Sequence, residues 1–312
     1  MTEIINRVLP IILLIALGFW TRRTGFLAPS TVGDLRKIVI NLALPAVLFI
    51  AFLDVELESR YAVVVAVTFL LGVVLYLAGR ALRPRFGARH EYFPFLMTGF
   101  EAGMLGISLY GAAYGLDRIA TFAVVDLGHE IFIWFVFLAL LLAERDGKRD
   151  PSALFASFIR SPVVVAIIAG IALNLAGVRD VLYDAPFVGG AMSTLVFIGT
   201  LTVPLILLVV GYGIQLDRKG IREAATPVAV RATLLLPLAL VLPPLLMGRL
   251  LGADAYAQAA LFTLLILPPP FIIPLYMKPD AGDERRYVNN VLSLYTLVSI
   301  VIFIGYVSLN PL

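Results

Sequence analysis

The chain is 312 residues long, 61% hydrophobic and only 14% charged, with a net charge of +3 and no cysteine. An average soluble domain carries roughly 25% charged residues, so this composition, with its mean hydropathy of +0.97, argues against a water-soluble core, and the lack of thiols excludes disulfides, iron–sulfur clusters and thiolate metal sites. The Lys and Arg residues fall in small clusters between apolar stretches and not on one face of a domain, which argues against nucleic acid as a partner.

Apolar windows broken at clusters of charge, Pro and Gly predict an all-α integral membrane protein of ten transmembrane helices. The first window, 4–21, has no basic leader and no small-residue cleavage site, so it reads as a retained span and not as a signal peptide. The second is 38–53 and the third 61–79. The fourth, 93–115, runs Gly99-Phe100-Glu101-Ala102-Gly103-Met104-Leu105-Gly106-Ile107-Ser108, with Gly111 beyond, and its glycines make it easy to unwind. Glu101 lies about nine residues into it, roughly 13 Å at helical rise and so near mid-bilayer.

In the fifth window, 119–143, Asp126, His129 and Glu130 stand at i, i+3 and i+4, on one helix face. Ionisable groups at such depth are costly unless they face water or one another, and so mark a functional pathway. With three acids and one imidazole, at least one of Glu101, Asp126 and Glu130 is expected to be protonated at neutral pH, a condition suited to proton coupling. The sixth, seventh and eighth windows are 161–178, 188–213 and 228–248. Arg231 and Arg160 are placed close enough to the cytoplasmic face to snorkel, leaving no basic residue at mid-membrane. The ninth window, 255–277, holds Pro268-Pro269-Pro270, which removes three backbone donors and must break the helix. The tenth is 287–309.

Connections on one side of these spans hold 19 of the 24 Lys and Arg residues. Basic residues stay on the cytoplasmic side, so the alternation supports ten spans with both termini outside, in the cell (inner, cytoplasmic) membrane. Pro10, Gly18 and Gly25 recur as Pro162, Gly170 and Gly177 at a constant offset of 152, and Pro45 aligns with Pro204. Two halves of five spans each are therefore expected, 1–145 and 161–312, joined by a cytoplasmic linker at 146–160. Five is odd, so the second half enters the membrane from the opposite face and the repeat is inverted. Paired interruptions in the matching fourth and ninth spans point to a transporter binding site, where broken helices expose free N–H and C=O groups. An anion there would be held by helix N-termini and polar groups, the ninth span foremost.

Asn41-x-x-x-Pro45-x-x-x-Phe49, the Gly-rich fourth span, Asp126-Leu127-Gly128, Ser161-Pro162, Val203-Pro204 through Gly211 and the Pro-rich ninth span together resemble the auxin efflux carrier family, which includes the plant PIN proteins and bacterial malonate-carrier-like proteins. The resemblance covers essentially the whole chain, without the long central loop of many plant members. It implies a five-plus-five inverted repeat with a scaffold domain and a transport domain, crossing broken helices in spans four and nine, and small organic anions as substrates. The chain departs from the family pattern at Glu101 and Gly106-Ile107-Ser108, where members carry Asn and then Gly-x-Pro. A carboxylate at the presumed substrate position is compatible with an anionic substrate only if Glu101 is protonated when the substrate binds.

The function expected is that of a secondary transporter moving a small solute, foremost an organic anion such as a carboxylate, by alternating access, with H+ or Na+ as candidate coupling ions. A channel or receptor-like sensor on the same scaffold, and a sodium-coupled or uniport carrier of another solute, are the competing readings. Substrate-binding candidates are Glu101, Gly103, Gly106, Ser108, Pro269, Pro270, Asn41 and Pro45; coupling candidates are Glu101, Asp126, His129 and Glu130. His129-Glu130 lacks the second histidine of a zinc motif, and there is neither a G-x-S-x-G nor a phosphate-binding loop. No enzyme activity, cofactor or metal is expected. The bilayer and a small molecule are the expected partners, and a homodimer is compatible with the sequence.

Overall fold

The computed structural model describes residues 2–55, 58–146, 156, 159–217, 220–278, 281–310 and 312, and among these every regular element is a helix. In chain order they are α1 (Thr2–Thr24), α2 (Pro29–Ile38), α3 (Leu44–Asp54), α4 (Tyr61–Phe86), α5 (Phe93–Leu96), α6 (Ile107–Tyr114), α7 (Ile119–Phe132) and α8 (Leu138–Asp146). There follow α9 (Pro162–Leu175), α10 (Arg179–Asp184), α11 (Val188–Thr200), α12 (Thr202–Gly213), α13 (Ile221–Leu242), α14 (Ala255–Ile266) and α15 (Gly282–Leu309). Wider π turns join α2 to α3 at Val39–Ala43 and α7 to α8 at Ile133–Phe137, precede α6 at Ala102–Gly106 and extend α13 at Pro243–Leu250. Each apolar window of the sequence carries helix. Among the described residues six helical stretches are long and apolar enough to cross a membrane, namely Pro29–Asp54, Tyr61–Phe86, Leu116–Arg145, Val188–Gly213, Ile221–Leu250 and Gly282–Leu309, and Pro162–Leu175 and Ala255–Ile266 are shorter apolar helices. Most of the expected linker at 146–160 lies outside the described residues.

Polarity runs opposite to that of a soluble protein. Leu13, Trp20, Leu70, Val74, Leu77, Phe197 and Leu240 are all more than 50% exposed, whereas Thr68, Asp126, His129, Arg231 and Asn290 are at most 5% exposed. Apolar side chains turned outward are at home in lipid, and polar ones are then confined to the interior.

The chain divides into two compact units, each drawing on both halves of the sequence: Met1–Glu58 with Ile107–Ala123 and Ala156–Gly213, and Ser59–Gly106 with Val124–Phe155 and Ile214–Leu312. In the first unit α1 packs along α12, and α9 along α3. Small residues permit both approaches: a Cβ on Gly18 would strike the backbone at Leu208, one on Gly211 the backbone at Ile15, and one on Gly170 the Phe49 carbonyl. Gly25 and Gly177, the pair at offset 152, end α1 and α9 in the same left-handed conformation, with φ of 71° and 67°. The Asn174 amide caps the end of α3 by donating to the carbonyls of Phe52, Leu53 and Val55 at 3.2, 2.8 and 2.8 Å.

In the second unit α4 packs on α5, and α13 on α14 and α15. Gly128 of α7 abuts the Val65 carbonyl and Thr68 hydroxyl of α4, leaving no room for a Cβ. The Asn290 side chain accepts from the Asp217 amide at 2.8 Å, and Arg60 donates to the Leu251 carbonyl at 3.0 Å. This unit holds both interrupted segments.

Candidate functional site

The fourth window opens as the short α5, unwinds through Thr98, Gly99 and Phe100, and turns helical again with the π turn at Ala102–Gly106 and α6. Two features force the break. Gly99 adopts φ of 69°, and a Cβ there would meet the side chains of Ile133 and Pro270, so only glycine fits without strain. In the ninth window α14 stops at Ile266, where the three prolines deny the helix its donors, and helical turns resume only at Ile273–Leu275. The orphaned ends are partly capped by side chains: Thr98 Oγ1 donates to the Pro94 carbonyl at 2.8 Å and Ser299 Oγ to the Ile266 carbonyl at 2.6 Å.

The two interruptions close on each other through Glu101, which is 8% exposed. Its backbone N–H donates to the Pro268 carbonyl at 2.9 Å, and its own carbonyl accepts from Gly106 N–H at 3.0 Å, completing the π turn. Its carboxylate reaches across: Oε2 accepts from Phe271 N–H, the first donor after the proline triplet, and Oε1 accepts a long bond from Met104 N–H at 3.4 Å. The donor that sequence reasoning left exposed for an anion is thus occupied by a carboxylate of the chain itself.

Arg231 overturns its assignment to the cytoplasmic face. It is 1% exposed, and its guanidinium donates to the carbonyls of Leu96 at 3.1 Å, Gly99, and Leu267 at 3.2 Å, while lying 5.2 Å from the ring centroids of both Phe100 and Tyr295. Those carbonyls belong to both interruptions, so one planar fork collects the acceptor ends of the two breaks. No carboxylate among the described residues pairs with it. The error came from the helix start. α13 begins at Ile221, through Arg222, Glu223 and Pro227, so Arg231 stands ten residues in, roughly 15 Å along the helix. A reading that let a helix begin with charged residues would have found it. Removing Arg231 from the loop charge leaves 18 of the other 23 basic residues on one side, and the alternation survives.

The ionisable face of α7 touches the same knot. Phe100 N–H donates to His129 Nε2 at 2.9 Å, which leaves the ring proton on Nδ1, directed at Asp126 Oδ1 2.7 Å away. His129 therefore orients the unwound strand. Glu130, half-buried, accepts from Trp134 Nε1 at 3.1 Å. Ligand atoms of Asp126, His129 and Glu130 lie within 4.8 Å of one another. With both imidazole nitrogens engaged, however, the histidine offers no lone pair to a metal in this arrangement.

At their far ends the segments are tied again: Lys278 N–H donates to the Tyr92 hydroxyl at 3.2 Å and Lys278 Nζ to Glu91 Oε2 at 2.9 Å. The hydrogen bond to Glu91 raises the Lys278 pKa above its ordinary value.

Of the residues singled out from sequence, Glu101, Gly103, Gly106, Pro269, Pro270, Asp126, His129 and Glu130 all fall in this second unit. Pro269 and Pro270 are buried, and Gly103 is half-buried beside open space, since a Cβ there would meet nothing within 4 Å. Asn41, Pro45 and Ser108 belong to the first unit. There Asn41 is exposed and donates to the Lys37 carbonyl of its own helix at 2.8 Å, Pro45 opens α3 and Ser108 is fully buried in α6. Arg231, Phe271 and Gly99 are the site residues that were not named as candidates.

A family model described as Membrane transport protein matches residues 3–307. A protein of Methanothermobacter thermautotrophicus described as an uncharacterized transporter is 24% identical over 245 residues, covering 77% of this chain and 75% of that protein. This is a family of transporters and not of enzymes, and the long apolar helices agree with a multi-pass protein embedded in a lipid bilayer. Matched over nearly its whole length, the chain belongs to the auxin efflux carrier-like family of membrane transport proteins.

Proposed function

We propose that the protein is a secondary transporter that moves a small organic anion across the cytoplasmic membrane by alternating access, linked to protons through Glu101, Asp126 and Glu130. The observation that carries this reading is the closure of two interrupted helical segments by a single buried carboxylate. Irregular backbone at membrane depth is tolerated where it is buried in protein or lines a cavity, and paired interruptions mark the binding site of transporters. One of the contacts that hold this pair together, Phe271 N–H to the Glu101 carboxylate, depends on the charge of a single side chain and so is able to respond to protons.

The ten-span, five-plus-five inverted repeat belongs to the same proposal, with halves at 1–145 and 161–312 and both termini outside. Its support is the reciprocal packing of the first span on the seventh and of the sixth on the second, together with the matched left-handed Gly25 and Gly177. On this reading the unit holding α4, α5, α7 and α13–α15 carries the substrate, and the unit holding α1–α3 and α9–α12 is the scaffold.

Counterflow tests the function. Purified protein in liposomes, preloaded with each of a panel of organic acids and amines, should accumulate the labelled form of one or more acids with saturable kinetics, faster when the loading side is acidic. Accumulation of amines alone would reject the anion, and non-saturating flux would point to a channel.

A further inference from the structure

The transport reading leaves open how an anion binds beside a glutamate, and the hydrogen bonds at Glu101 supply an answer that rests on that reading. After Pro268, Pro269 and Pro270 the first backbone donor is Phe271 N–H, and it is engaged by a carboxylate. The same carboxylate takes Met104 N–H from the other interruption. The knot is therefore already built to hold one carboxylate group, and its present occupant is covalently attached. A second carboxylate cannot share these donors, because two like charges would be forced together in a buried place.

Protonation reverses the relation. A neutral carboxyl group is a poor acceptor for Phe271 N–H, and its new O–H donates a short, charge-assisted hydrogen bond to an incoming carboxylate. Glu101 changes from competitor to ligand by gaining a proton. Charge balance points the same way: Arg231 is a buried cation that donates to three carbonyls and lies against the Tyr295 ring, with no carboxylate among the described residues paired to it. When the substrate's negative charge replaces that of Glu101, the charge in the knot is unchanged. Gly103, two residues from Glu101, faces open space.

We infer that Glu101 is the resident carboxylate of a carboxylate site, and that a substrate carboxylate takes over the Phe271 amide only as Glu101 takes up one proton. The proton comes from water on the side to which the site is open, resides on the Glu101 carboxyl while the substrate is bound, and returns to water when the substrate leaves. One proton and one monocarboxylate load together, and the loaded carrier bears the same charge as the empty one.

The test uses the purified wild-type protein in weakly buffered detergent solution with a pH indicator. Sodium acetate and sodium benzoate are the probes, and acetamide and benzamide are the uncharged controls. Across the alkaline range, binding of either carboxylate should take up about one proton per site, and its affinity should fall about tenfold per pH unit; the amides should take up none. In Glu101→Gln the neutral amide stands in for the protonated acid, so binding should be retained with no proton uptake and a flat pH profile. Wild-type binding without proton uptake would overturn the inference while leaving anion transport standing, and this measurement does not depend on the variant folding. Proton uptake that persists in Glu101→Gln would also overturn it, by placing the proton elsewhere. If neither probe binds, the inference for monocarboxylates falls, and the counterflow panel decides the anion reading on its own.

Discussion

Arg231 offers the most direct check on how the interrupted segments are held. In Arg231→Met the side chain becomes apolar and keeps a similar aliphatic reach, but three hydrogen bonds, to Leu96, Gly99 and Leu267, are lost. Side-chain hydrogen bonds inside membrane proteins contribute about 0.6 to 1.7 kcal/mol each, so the three together amount to about 2–5 kcal/mol. Removing the charge also removes its burial cost, which offsets part of that loss. Arg231→Lys keeps the buried charge yet cannot span three carbonyls from one ammonium, so it should be at least as destabilised as the Met variant. At about 2–4 °C per kcal/mol, the Met variant should melt on the order of 4–20 °C lower, read by intrinsic fluorescence or size-exclusion after heating in detergent. A Met variant that melts with the wild type would refute the clamp. A Lys variant indistinguishable from wild type would refute the argument from the geometry of the fork.

Glu101→Gln should abolish accumulation in proteoliposomes while sparing part of the exchange, because a permanently neutral carrier can still alternate with substrate on both sides; accumulation that survives, or wild-type uptake indifferent to pH and protonophores, would count against proton linkage. Gly99→Ala must place a Cβ at φ of 69° against Ile133 and Pro270, at a cost of about 2–5 kcal/mol from backbone strain and overpacking together. Gly103→Ala, facing open space, should change the melting temperature little, and equal losses at the two glycines would remove the case for Gly99. A cysteine at Ser152 should label only from the cytoplasmic side and one at Asp184 only from the outside; labelling of both from one side rejects the ten-span topology.

Much of this molecule was legible in one dimension, because lipid imposes a simple rule. A span must be apolar over about 20 residues, so every window picked out by hydropathy carries helix, and the charge alternation proposed their orientation. The breaks were legible too, since three successive prolines cannot continue a helix and Gly99 lies in a run of glycines. Asp126, His129 and Glu130 stand together, as their helical spacing implied, and Glu101 stands at the break of the fourth window. What these groups bind was hidden. Local periodicity carries no information about Phe271 N–H meeting a carboxylate 170 residues away, or about an imidazole that holds Phe100. Arg231 was misread because a sequence window treats a charge near a helix end as lying in water. Only the tertiary structure brings three carbonyls from two broken segments to one guanidinium, and those acceptors are what make a buried charge tolerable there. Composition and order along the chain determined which segments are apolar helices; long-range packing decided which polar groups meet among them, because hydrogen bonds between distant segments form only once the helices have come together.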